Sequence, residues 1–147
     1  MSLLIDSLNR QCVMIGTQAS TKDELLKECA RCMKNSPNLE TIAEDEIYSA
    51  LKKREKLGST GFGNAIAIPH CSFDSIDTFT IGTVTHADGI DFDSLDGKPT
   101  SCFVIIVGPS SKKNEHIHLL SRVSRILNSP HGIDTRYFLR YTDLRSR

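Results

Sequence analysis

The stretch at residues 57–72, "LGSTGFGNAIAIPHCS", decides how this chain is read. Three glycines and a Ser-Thr pair loosen the backbone, an alternating Ala-Ile-Ala-Ile tetrapeptide follows, and Pro69, His70 and Cys71 end it abruptly. The tetrapeptide has the alternation of a strand. Pro69 fixes its own φ and biases Ile68 away from helical geometry, so the reading expects His70 at a defined place at the end of a strand. The glycine order, Gly-x-x-Gly-x-Gly, is not the dinucleotide fingerprint, and no Gly-Lys-Ser/Thr follows. A nucleotide cradle is therefore rejected on spacing.

Working outward, "QCVMIG" (11–16) reads as a first strand and "STKDELLKECARCMKN" (20–35) as a helix. Thr21 and Glu24 form its capping box, and Leu25, Leu26, Cys29, Ala30 and Met33 its apolar face. "AEDEIYSALKKREKLG" (43–58) is a second helix, acidic in its first turn and basic in its last, with Gly58 as its stop. "AIAIP" (65–69) and "DTFTIGTVTH" (77–86) read as strands. Asp-Gly pairs at 88–89 and 96–97 mark turns around a short extended piece. "SCFVIIVGP" (101–109) is a nearly continuous apolar run, the pattern of a central strand covered on both faces. "NEHIHLLSRVSRILN" (114–128) is a third helix. The order predicts an α/β fold: one domain over 1–147, a mixed β-sheet sandwiched between α-helices.

The totals bound the function. Among 147 residues, eighteen basic side chains balance eighteen acidic ones, 39% are hydrophobic and 24% charged, and there is no Trp. No global field points to nucleic acid or an anionic membrane, and the low aromatic content disfavours a base-stacking platform. The apolar runs are strand-length, well short of the roughly 20 residues a spanning helix needs, so no membrane insertion is expected. "MSLLIDSLNR" lacks the basic start and apolar core of a signal peptide. Five cysteines, an odd number, fit reduced thiols in a cytoplasmic protein. Cys29 and Cys32 form a Cys-x-x-Cys, but it lies inside a helical pattern with no second pair to complete a zinc site, and it reads as core.

Of the five histidines, His86, His118 and His131 read as structural or merely exposed. His116 heads the apolar stripe 116, 120, 123, 127 of the third helix, while His118 lies about 200° around it. His116 also sits in a first turn, where unpaired backbone N–H groups favour an anion. Arg54, in the run "KKREK" (52–56), ends the second helix just before the glycine loop. As residues alone, His70 could be functional or structural, and the basic run could be a solvated face.

These motifs together resemble the enzyme IIA domains of the bacterial phosphoenolpyruvate-dependent phosphotransferase system, in the fructose/mannitol/nitrogen-regulatory class. The resemblance is carried by "REKLGSTGFGNAIAIPHC", "GIDFDSLDGKP" (89–99), "CFVIIVGP" and "EHIHLLSRVSRIL" (115–127), in that family's order and spacing, over about residues 3–130. It implies that His70 is the phosphorylated histidine, that His116 sits beside it, and that Arg54 lines the same pocket. It further implies an HPr/NPr-like histidine phosphocarrier protein as phosphoryl donor, and an enzyme IIB or a regulatory target as the next partner. Three features depart from the family pattern: Cys71 where a small residue follows the histidine, Phe62 in the loop, and a tail (131–147) with four arginines and two aspartates.

The residue types suit that chemistry. A neutral imidazole, with pKa about 6.5, is a usable nucleophile toward phosphorus at cytosolic pH. Catalysis of such a transfer is mainly positioning and donors, which His116, Arg54 and a helix N-terminus can supply, with Ser59 or Thr60 as a further hydroxyl. No metal or other cofactor is needed between two histidines. With no membrane segment expected, the chain would pass phosphate to a separate protein or act as a signal. The "LGSTGFGNAIAIPH" form favours the nitrogen-regulatory type over a sugar-type carrier. A regulatory interaction domain without phosphotransfer is a further reading. A hydrolase built on Cys71, His70 and His116 is disfavoured, because adjacent residues of an extended segment point to opposite sides.

Overall fold

A computed structural model describes residues 2–128. The arginine-rich tail and His131 lie outside the described residues. The elements run α1 (Ser2–Ser7), β1 (Leu8–Met14), α2 (Lys22–Met33), a 3₁₀ turn (Pro37–Leu39), α3 (Glu44–Lys56), β2 (Gly61–Gly63), β3 (Ile66–Ala67), β4 (His70–Phe73), β5 (Thr80–Ile90), β6 (Thr100–Pro109) and α4 (Lys113–Leu127). All six strands form one mixed sheet in the order β1-β5-β6-β3-β2, with β4 also paired to β6. The expected α/β sandwich is the observed fold.

β6 is the spine. It runs antiparallel to β5 and parallel to β3 and β4. Its alternate residues feed two separate cores, as a strand buried on both faces must. Phe103, Ile105 and Val107 pack against α2 and α3 through Leu25, Cys29, Met33 and Leu51. Cys102, Val104 and Ile106 pack against α1 and α4 through Leu4, Leu119, Val123 and Leu127. Cys29 and Cys32 are fully buried in the first core, as residues of an apolar helix face.

Several boundaries correct the sequence reading. The helix α1 was unforeseen: it is short, and its Leu4 is buried in a core shared with the sheet and α4. At α2, Thr21 Oγ1 accepts from Glu24 N–H at 3.1 Å, and the Glu24 carboxylate reaches back to the backbone, accepting from Ser20 N–H at 2.8 Å and also from Thr21 N–H. The Asp-Gly at 88–89 is not a turn. β5 continues through it to Ile90, and Gly89, at φ +79°, takes up a break in register against β6. Gly97, at φ +70°, does serve a turn.

The most informative correction concerns Pro69. It does not end a strand. Ile66 pairs with Cys102 and His70 with Ile106, the same offset on both sides of the proline. Ile106 N–H still donates to the Pro69 carbonyl at 3.0 Å. β3 and β4 are thus one line of chain along β6, and His70 opens its second half.

Candidate functional site

His70 and Cys71 inherit opposite faces from this register. His70 pairs with Ile106, on the α4 side of the sheet, and Cys71 with Val107, on the α2/α3 side. Burial in the first core pushes the Cys71 thiol up to about 12, so it is held as a thiol, turned away from the imidazole.

His70 projects into an open depression of about 570 Å³ between the C-terminal end of α3 and the N-terminal end of α4. Arg54 Nε donates to His70 Nε2 at 3.3 Å. An arginine has no acceptor, so Nε2 must carry the lone pair and Nδ1 the proton. Nδ1–H in turn donates to the Ile68 carbonyl at 2.8 Å. Two neighbours two and sixteen residues away therefore select one tautomer, with its basic nitrogen open to the depression. Burial, with the Arg54 charge in support, lowers the His70 pKa; the Ile68 carbonyl and Glu55 oppose this. The ring is neutral at neutral pH.

His116 is where the helical stripe put it, buried in the first turn of α4 and bordering the same depression. Its ring centroid is 5.7 Å from that of His70, and Phe79 meets its other side edge-on at 5.5 Å. Gly108 makes room for Phe79, since a Cβ there would come within 2.3 Å of the ring. His116 Nε2 is buried without a hydrogen-bond partner among the described residues. Burial, then the neighbouring His70, lowers its pKa to about 4. His116 is therefore a neutral ring with one ring nitrogen unspent.

Arg54 is held by Gly58, whose carbonyl accepts from a guanidinium nitrogen at 2.8 Å. Behind it lies a residue that the sequence reading passed over. Glu55 is buried, pairs with Lys22 Nζ at 2.9 Å, and accepts from Thr60 N–H at 3.2 Å and from the Thr60 hydroxyl. Ser59 Oγ donates to the Phe92 carbonyl at 2.8 Å. Both hydroxyls are thus committed to holding the loop, and neither borders the depression, contrary to the expectation of a further hydroxyl reaching a phosphate there. Phe62 packs against the second core. His86 is tied to the Ala19 carbonyl at 2.8 Å and His118 contacts Arg122 at 3.3 Å, both away from the depression.

One depression on this sheet thus gathers two imidazoles and an arginine. Comparison supplies the family. Residues 6–135 match the family "Phosphoenolpyruvate-dependent sugar phosphotransferase system, EIIA 2". A "Nitrogen regulatory protein" of Pseudomonas aeruginosa is 34% identical over 116 residues, 78% of this chain and 73% of that protein. A "PTS system fructose-specific EIIA component" of Haloferax volcanii is 37% identical over 83 residues, 56% of this chain and 54% of that one. The crystal structure of the nitrogen regulatory protein IIA-Ntr from Neisseria meningitidis superposes with a TM-score of 0.79 at 26% identity, covering 87% of this chain and 86% of that one. The chain belongs to the phosphotransferase-system EIIA type-2 family. It is a phosphotransferase component that accepts and transfers phosphoryl groups.

Proposed function

We propose that His70 is the phosphoryl acceptor of this chain, and that Arg54 and His116 hold the transferring group. One observation carries the reading. His70 Nε2 bears a lone pair in the depression, with the Arg54 guanidinium against it at 3.3 Å and the His116 ring 5.7 Å away between centroids. A phosphohistidine of an HPr/NPr-like histidine phosphocarrier protein presents phosphorus to that lone pair. The new P–N bond forms as the donor's P–N bond breaks, the donor ring regains its lone pair, and His70 keeps its Nδ1 proton throughout. The positive charge that develops on the ring is met by the Ile68 carbonyl. Arg54 moves from Nε2 to the phosphoryl oxygens, and a ring N–H of His116 donates to another.

The whole of 1–147 is read as one such domain acting in the cytoplasm. Its regulatory form, signalling by phosphorylation state, is favoured by the longer shared stretch with the Pseudomonas aeruginosa protein. A sugar-type carrier donating to an enzyme IIB is the second reading, favoured by the higher identity over a shorter stretch to the Haloferax volcanii component. Phosphoenolpyruvate, enzyme I and a histidine phosphocarrier are expected to leave acid-labile, base-stable phosphate on the wild-type chain and none on His70→Ala. Label surviving that substitution would place the acceptor elsewhere.

A further inference from the structure

Along β6, side chains fill the cores on both faces of the sheet until Gly108 interrupts them. The backbone at Gly108 is not left-handed, so conformation does not call for glycine there. Space does. A Cβ at that position would meet the Phe79 ring at 2.3 Å. Phe79 stands immediately before β5, and the pairing of Thr80 with Val107 brings it over β6 beside Gly108. It is buried, in the core that α4 covers. The ring it supports is His116, which meets Phe79 at 5.5 Å and 84° and His70 at 5.7 Å and 65°. His116 Nε2 has no hydrogen-bond partner among the described residues, so no polar contact at that nitrogen fixes the rotation of the ring. Ring-on-ring packing is left to do so.

We infer that Phe79, seated on Gly108, is a positioning residue for phosphoryl transfer, holding the His116 ring against His70 in a single orientation. The inference rests on His70 as the acceptor and His116 as a donor to the phosphoryl group, and adds what keeps that donor in place. Phosphorylated at Nε2 with its Nδ1 proton retained, His70 carries a positive ring. A second positive ring 5.7 Å from it would oppose the new P–N bond. Burial, to which the Phe79 ring contributes, and then the neighbouring His70 lower the His116 pKa to about 4. His116 therefore donates without adding charge. The other charged groups bordering the depression are Lys53 and Arg54 on α3 and Lys113 on α4 itself, all cations, and β6 beneath carries none.

Two substitutions reach the same contact from opposite sides. Phe79→Leu keeps an apolar side chain and loses the ring; Gly108→Ala keeps the ring and displaces it. Neither position borders the depression, so the surface a donor protein meets is unchanged. Each variant is expected to lower kcat for phosphoryl uptake from the phosphorylated histidine phosphocarrier about tenfold, with KM kept. In each, the titration of the His116 ring followed by NMR is expected to move up from about 4, by about one unit or more, toward its ordinary range. Adding Phe79→Leu to His116→Ala is expected to change kcat by less than about twofold, as is adding Gly108→Ala to Phe79→Leu, where the clash is gone. Urea unfolding gives the folded fraction of each variant, so that kcat is compared per folded chain. A His116 titration left in place, a wild-type kcat in both single variants, or a further fall of about tenfold on the His116→Ala background would each overturn the positioning role alone. A wild-type chain that takes no label at His70, or a His116→Ala chain that transfers at the wild-type rate, would overturn the reading beneath it, and this one with it.

Discussion

Glu55 follows Arg54 in the chain and turns the other way, into the protein. Its carboxylate joins α3 to Lys22 of α2 and to Thr60 in the glycine loop, and Lys22 is further held by Asp93 and lies over the Phe92 ring. The Gly58 carbonyl that grips Arg54 lies between these anchors. Replacing Glu55 by Gln should leave Lys22 partly buried beside a neutral amide. The expected loss is about 2 kcal/mol, below the roughly 3–5 kcal/mol for a broken buried pair because Lys22 is partly exposed and Asp93 remains. Urea unfolding measures it, and phosphoryl uptake should slow as Arg54 loosens. At this scale, the positions of Arg54 at the end of α3 and of His116 on a helical stripe were legible, while their roles and that of His70 rested on the family resemblance. Glu55 was not legible. In "KKREK" it reads as one more surface charge, and only the approach of α2 and Thr60, distant or unordered in the sequence pattern, makes it an internal strut.

Between elements, the tight hairpin of β2 and β3 shows what pattern could and could not reveal. Asn64 and Ala65 both adopt left-handed geometry, at φ +57° and +64°. Asparagine tolerates this; alanine does not, and glycine would ordinarily follow in such a two-residue turn. Ala65 is held there because its carbonyl accepts from Ser101 N–H at 2.9 Å and Cys102 N–H at 3.0 Å, pinning the turn to β6. Ala65→Gly should therefore stabilise the chain by about 0.5–1 kcal/mol, the relief of Cβ strain exceeding the extra freedom glycine gives the unfolded state. In thermal melting that is a rise of roughly 2–4 °C per kcal/mol. The helices and the buried β6 were legible from apolar spacing. The passage of the strand through Pro69 was not, because a proline in isolation reads as a stop, whereas β6 supplies a parallel partner that holds register across it.

For the whole molecule, the sheet divides two cores and the site lies where the α4 side of one meets the end of α3. That division was readable from β6 alone, since its unbroken apolar run from Cys102 to Val107 must be covered on both faces. The electrical state of the site was not readable, because it depends on how deeply α4 sinks His116 against Phe79. That depth makes an overall prediction. The folded state holds His116 neutral down to about pH 4, whereas in the unfolded chain it takes a proton near its ordinary 6.5. Between those values the unfolded state binds more protons, so stability falls as pH falls from about 6.5 and levels near 4. Each pH unit in that window removes at most about 1.4 kcal/mol, and water in the open depression trims the total to about 2 kcal/mol. His70, also lowered by burial, pulls the same way. His116→Gln substitutes a group that does not titrate, while the carboxylates of the chain remain common to both proteins. Urea unfolding at pH 7 and pH 4.5 should then show the wild type losing about 2 kcal/mol more than the variant. Equal losses would mean that His116 is already protonated in the folded state at pH 4.5, and hence that α4 leaves it open to water.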